Sequence, residues 1–210
     1  MQSIIQLFFI VLLFSSCNQK GNTTKKSNVT DFKNGDIVFQ TSQSTQSKAI
    51  QLATHSTFSH CGIVLIKGKK VHVLEAVEPV KLTPIDVWIK SGKNNYYVVK
   101  RLKKSIKINN VAIQKMNKIG TSYLGKHYDL SFNWSDNKIY CSELVWKIYK
   151  YGANIEVGKL QQLKDYDLKN SIVQQKLKER YGKSIPYNET VISPDAIFNS
   201  DKLETIEIKN

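Results

Sequence analysis

The feature that most restricts the fold of this chain is a pair of apolar β-type runs, HCGIVLI (His60 to Ile66) and VHVLEAV (Val71 to Val77), separated by KGKK. Runs of this kind around a glycine-containing turn form a hairpin. A hairpin is not stable alone, so the rest of the chain has to pack further strands or helices against it. Whether the loop is the two-residue Gly68-Lys69 or the four-residue KGKK, Ile66 faces Val71. Counting back along the ladder, Gly62 faces Glu75 and His60 faces Val77. Directly opposed residues share a sheet face, and so do residues i and i+2. His60 and Glu75 therefore lie on one face as diagonal neighbours, and Gly62 puts no side chain between them. A loop of three or five residues would break this relation, because a one-residue slip flips the face.

The other segments are placed by period and punctuation. Gly35-Asp36 marks a turn, which Asp36 caps, before the short strand IVFQ. Asn95 to Arg101 (NYYVVKR) reads as another strand. Ser44 to Ala53 places Ala49, Ile50 and Ala53 on one side of a short helix. Asn110 is positioned to cap a helix carrying Ala112, Met116 and Ile119 and ending near Gly120. Ser142 to Tyr151 forms a compact helix with Gly152 as its stop. Tyr166 to Arg180 forms a second amphipathic helix with Leu168, Ile172 and Leu177 facing inward, and Ser193-Pro194 opens a last helical turn. Strands dominate the first half and helices the second, which argues for an α+β fold.

The amino terminus bears on compartment. Ile4 to Phe14 (IIQLFFIVLLF) is too short to span a bilayer comfortably and has the length of a signal-peptide apolar core. Ser15, Ser16 and Cys17 follow, an order that resembles a bacterial lipobox, in which the cysteine is lipidated and becomes the first residue. An ordinary signal peptide or a membrane anchor is the alternative. The expected organisation is a lipoprotein signal peptide over residues 1–16, a flexible polar tether over 17–34 and a catalytic domain over 35–210. The protein is then exported and held at a membrane through Cys17, in the periplasm or at the cell surface. The net charge of +14, from 31 basic and 17 acidic residues, favours anionic partners such as lipid or cell-wall polymer. The lysines are scattered, so no nucleic-acid motif emerges.

Cys141 directly precedes a helix, where partial positive charge and free N–H groups lower a thiol pKa. A nearby imidazolium would stabilise the thiolate further, and the N–H of Cys141 is placed to donate to an oxyanion. His60 is the candidate base. Glu75 is the carboxylate that orients it. Cys61 points to the strand face opposite His60 and reads as a small buried apolar residue rather than the thiol that His60 activates. A Cys61–Cys141 disulfide is the structural alternative in an oxidising compartment. Tyr128 and Tyr140 are candidate oxyanion or substrate contacts. His127 is a rival base on an exposed segment, His55 lies in a polar loop, and His72 faces away from Glu75. No histidine and cysteine spacing supports a metal site, and no cofactor is expected. Glu143 suits the first helical turn, and Trp88, Trp134 and Trp146 are expected in the core.

In this order, GDIVFQ, HCGIVLI-turn-VHVLEAV, YLGKHYDLSFNW, YCSELVWKIY and SPDAIF are similar to the motifs of the NlpC-type papain-like superfamily. Standard members place the cysteine helix first. Here the order is His, Glu, Cys, which resembles the circularly permuted branch, the YaeF/YiiX-like permuted papain-like amidases. The resemblance covers roughly Gly35 to Phe198. It implies an antiparallel sheet or small barrel packed against helices, with Cys141 as nucleophile, His60 as base and Glu75 as orienting residue. The implied activity is a cysteine peptidase or amidase acting on peptidoglycan peptides or a related envelope amide. A lipid-directed esterase, amidase or acyltransferase at the membrane surface is a second reading, and a non-catalytic envelope-binding lipoprotein a third.

Overall fold

The computed structural model of the protein describes residues 31–209. The expected signal peptide, Cys17 and most of the expected tether lie outside the described residues. The IVFQ run becomes β1 (Ile37–Ser42), followed by α1 (Ser47–Thr54) and the hairpin strands β2 (His60–Lys67) and β3 (Lys70–Glu75). The chain then forms β4 (Lys81–Pro84), α2 (Ile85–Ser91) and the long β5 (Gly92–Leu102). The second half carries α3 (Asn110–Ser122), β6 (His127–Tyr128), β7 (Lys138–Ile139), α4 (Cys141–Ala153), β8 (Gln161–Gln162), a 3-10 turn (Leu163–Asp165), α5 (Ser171–Tyr181), β9 (Thr190–Val191), α6 (Pro194–Phe198) and β10 (Leu203–Lys209).

Six strands form one sheet in the order β10-β5-β1-β2-β3-β4, antiparallel at every pairing. It is an open sheet with β10 and β4 at its edges, which decides between the sheet and the small barrel. The hairpin turn is the two-residue Gly68-Lys69, with Gly68 at φ +61°, a conformation that glycine adopts without steric penalty. Its register pairs Ile66 with Val71 and Ile63 with Leu74, as the alternation predicted.

Both faces of the sheet are covered. Ile37, Phe39, Cys61, Ile63, Leu65 and Leu74 point to one side, where they join Met116 of α3 and Leu144, Val145 and Ile148 of α4. Val38, Val64, Val73 and Val99 point to the other, under Trp88 of α2. Two-sided burial accounts for the nearly continuous apolar runs of β1 and β2.

The helices depart from expectation in ways that can be traced to single residues. Gly152 does not stop α4. It lies within the helix, where an added Cβ would come 2.4 Å from the Met116 side chain and 2.7 Å from its backbone, so it permits α3 and α4 to touch. The stop is Asn154, left-handed at φ 55°. In the same way α3 runs past Gly120, which packs under Leu74, and Asn109 rather than Asn110 caps it, accepting the Ala112 N–H at 2.9 Å. α5 begins at Ser171 rather than Tyr166, because the Asn170 side chain accepts the Ile172 N–H and fixes the helix start there. That start turns Ile172 to solvent and buries Val173 and Leu177.

Candidate active site

His60 opens β2 and Glu75 ends β3, so the hairpin register brings them together at one end of the sheet. Gly62 makes this possible: a Cβ there would sit 2.4 Å from the Val73 side chain and 3.4 Å from that of Glu75. His60 Nε2 lies 2.7 Å from Glu75 Oε2. The other carboxylate oxygen accepts the Thr83 hydroxyl of β4 at 2.5 Å. Both members of the pair are almost fully buried. The imidazole also lies against Trp88, with ring centroids 6.3 Å apart.

The helix that packs on this sheet starts at Cys141, whose side chain hydrogen-bonds His60. Burial opposes a charge on the imidazole, but the hydrogen bonds to Cys141 and Glu75 outweigh it and raise the His60 pKa to about 10. Cys141 is held well below the usual thiol range. The hydrogen bond from the Cys61 thiol contributes most, burial acts against it, and the charge of His60 adds to it. Burial also opposes ionisation of Glu75, and the His60 and Thr83 hydrogen bonds bring its pKa below the ordinary carboxylate value. The arrangement is therefore a thiolate–imidazolium pair backed by a carboxylate.

Cys61 is buried on the face opposite His60, as the alternation predicts. That opposite face is the one α4 covers. The thiol consequently sits against Cys141, and burial together with the negative sulfur beside it holds Cys61 protonated. Both cysteines are free, so the disulfide alternative does not form here.

The remaining candidates separate into two groups. Tyr128 lies near the Cys141 sulfur, and its hydroxyl accepts from Gln46 Nε2 at 2.9 Å. Burial and the charge of Cys141 keep this phenol neutral. Tyr140 is the helix-capping position before Cys141, and its hydroxyl accepts the Ile192 N–H at 3.1 Å, which ties a neighbouring loop to the start of α4. The others are engaged elsewhere. His127 is exposed and pairs with Glu78, His55 pairs with Asp167, and His72 lies on the sheet face opposite Glu75. Glu143 is fully buried and paired with Lys147 at 2.8 Å, a structural role that its place in the first helical turn did not reveal. Asp36 accepts the Lys33 N–H and clamps Arg101 at 2.6 Å. Trp88 and Trp146 are core residues, and Trp134 packs edge-on against Trp146.

Beside Cys141 is a cavity of about 110 Å³. Its walls are mostly apolar, built from Ala49 and Ile50 of α1, Leu168, and Val173 and Leu177 of α5. Among the polar groups on it are Gln46, Tyr128 and Arg180. The sequence reading missed this cavity, because its walls come from two helices far apart in the chain.

A family model described as permuted papain-like amidase enzyme, YaeF/YiiX, C92 family, matches residues 31–207. A relative described as uncharacterized protein YiiX, from Escherichia coli K12, is 51% identical over 172 residues, which is 82% of this chain and 84% of that protein. A crystal structure described as that of the metalloprotein YiiX from Escherichia coli O157:H7 superposes with a TM-score of 0.81 at 50% identity, covering 84% of this chain and 97% of the other.

Proposed function

The chain belongs to the permuted papain-like amidase family YaeF/YiiX, and from that membership we propose that it is an exported cysteine hydrolase that cleaves an acyl bond by Cys141–His60–Glu75 catalysis. The Cys141 thiolate attacks the carbonyl carbon. The N–H of Cys141 and the Tyr128 hydroxyl serve the developing oxyanion. The His60 imidazolium gives its proton to the leaving nitrogen or oxygen, so the amine or alcohol departs and a thioester remains. His60, now neutral, takes a proton from water as that water attacks the thioester. The acid is released, and the proton returns the imidazolium to pair with the thiolate. Glu75 stays ionised throughout and holds the ring.

One observation carries this reading: a thiol–imidazole–carboxylate series joined by hydrogen bonds, with its thiol on the wall of a cavity. The same cavity supports one substrate class over the other. An apolar lining favours a substrate with a hydrocarbon chain, and the net charge of +14 suits an anionic membrane surface. A lipid-type acyl amide or ester at the membrane is therefore the preferred substrate class, with a peptidoglycan stem peptide as the alternative. The description of the solved relative as a metalloprotein concerns that protein. Among the described residues no group of three or more His, Cys, Asp and Glu side chains could hold a metal ion, and no step above runs through one.

The test is turnover. Purified wild type is incubated with envelope lipid extracts and, separately, with peptidoglycan fragments, and the products are identified by mass spectrometry. Cys141→Ala is expected to lose at least about 10³-fold in rate. Full activity in Cys141→Ala would overturn the proposal.

A further inference from the structure

The cavity beside Cys141 contains a cation that the catalytic steps do not use. Arg180 sits in the last turn of α5, half-buried, with its guanidinium 4.4 Å from the centre of the Phe132 ring. It donates to Gln46 Oε1, whose own amide nitrogen donates to Tyr128. Arg180, Gln46 and Tyr128 thus form one polar strip along a mostly apolar wall, and Tyr128 is its end near the Cys141 sulfur.

Among the described residues no carboxylate forms an ion pair with this guanidinium; Glu179 and Asp129 act on it only from a distance. The acids around it have other partners. Asp129 accepts the N–H groups of Ser131 and Asn133, Glu179 pairs with Lys176, and Glu189 accepts the Trp134 N–H. A half-desolvated cation without a directly paired counter-ion is costly: burial lowers the Arg180 pKa, and the more distant phenols and carboxylates around it only partly offset that. Its position is fixed from two sides, by the ring and by the Gln46 oxygen. A guanidinium has five N–H donors in a planar fork, and the bond to Gln46 leaves enough of them for a bidentate oxyanion. An oriented fork with no direct ion pair, on the wall of the cavity beside Cys141, is a preformed anion site.

We propose that Arg180 recognises an anionic group of the ligand: the cavity takes an amphiphile whose hydrocarbon chain lies along α1 and α5 and whose carboxylate or phosphate rests on this guanidinium. The inference rests on the acyl-substrate reading of the same site and adds a charge requirement to it. Gln46 acts as a positioning residue, since it holds the fork from the side opposite the anion.

Binding to the full chain carrying Cys141→Ala tests this without turnover. The probes are decanoate, decyl phosphate and decan-1-ol, which share a chain and differ in the head group. They are measured by displacement of a neutral apolar dye. The two anions are expected to bind at least about tenfold more tightly than the alcohol, the strength of one charge-assisted bidentate contact. Arg180→Gln is expected to erase that difference while leaving the affinity for decan-1-ol in place, which also reports an intact cavity. Arg180→Lys is expected to keep part of the preference. A carboxylate preference points to an acyl amino acid or fatty acid, and a phosphate preference to a phospholipid head group. Three results would overturn the proposal: no binding of any probe, an anion preference that survives Arg180→Gln, or an equal loss for all three probes. Because the nucleophile is absent, these results are independent of whether Cys141 turns anything over. A wild type that cleaves acyl amides with no preference for charged ones would overturn the anion site alone.

Discussion

Cys141 owes its charge to three neighbours: the Cys61 thiol, the His60 ring and the amino end of α4. An ordinary thiol loses reactivity roughly tenfold per pH unit below about 8.5, because the thiolate fraction falls. Alkylation of Cys141 by iodoacetamide is expected to stay nearly constant between about pH 8 and about pH 6. Cys61→Ala is expected to move the acid fall of that profile upward, as it removes the largest stabilising contact; an unchanged profile would show that the Cys61 thiol contributes nothing. Turnover should decline at the alkaline end as His60 loses its proton near pH 10. The linkage has a definite sign. His60, raised from 6.5, adds stability that is complete below its ordinary pKa and is lost as pH rises through about 10. Glu75, lowered, adds stability that is lost as pH falls through its depressed range. At this scale the sequence was informative about His60 and Glu75, since strand alternation fixes relative faces. It placed Cys61 on the right face but did not show its contact with Cys141, because alternation cannot say which helix covers which face.

Among the elements, α3 and α4 depend on two glycines that sequence reading treats as helix ends. Gly152→Ala illustrates the competition. Alanine gains about 1 kcal/mol of helix propensity over glycine. The added Cβ, however, would meet Met116 at 2.4 Å on its side chain and 2.7 Å on its backbone, and overpacking of this kind costs about 1–3 kcal/mol or more. The steric loss outweighs the propensity gain, so the variant is expected to melt several degrees lower. A higher melting temperature would mean that the two helices separate without penalty. The hairpin was legible down to its register because its apolar runs leave one pairing. β4, α2 and β10 were not read, being short or carrying no strong period. The early residues of the expected Tyr166 helix failed for a local reason: the Asn170 cap defines a later start.

For the whole molecule, the order of motifs along the chain identified the permuted fold before any geometry, because His60, Glu75 and Cys141 occur in a sequence that standard relatives do not share. The cavity was hidden, since α1 and α5 meet only in the folded chain. Membrane attachment belongs to this scale. With the lipidation proposed at Cys17, wild type is expected in the membrane fraction, and Cys17→Ala is expected to leave it. Equal partitioning of the two would refute the anchor.

The strand order has a mechanical consequence. The first strand after the amino-terminal segment, β1, is interior to the sheet and held by antiparallel ladders to both β2 and β5. A load applied through the amino terminus therefore has to shear two ladders together, and Arg101, clamped on Asp36, bolts the point where that load enters. The carboxyl-terminal strand β10 lies at an edge and is held by one ladder only. Pulled from its two ends, the domain should yield first at β10, the end farther from the proposed lipid, and keep the Cys141–His60–Glu75 end of the sheet together under tension.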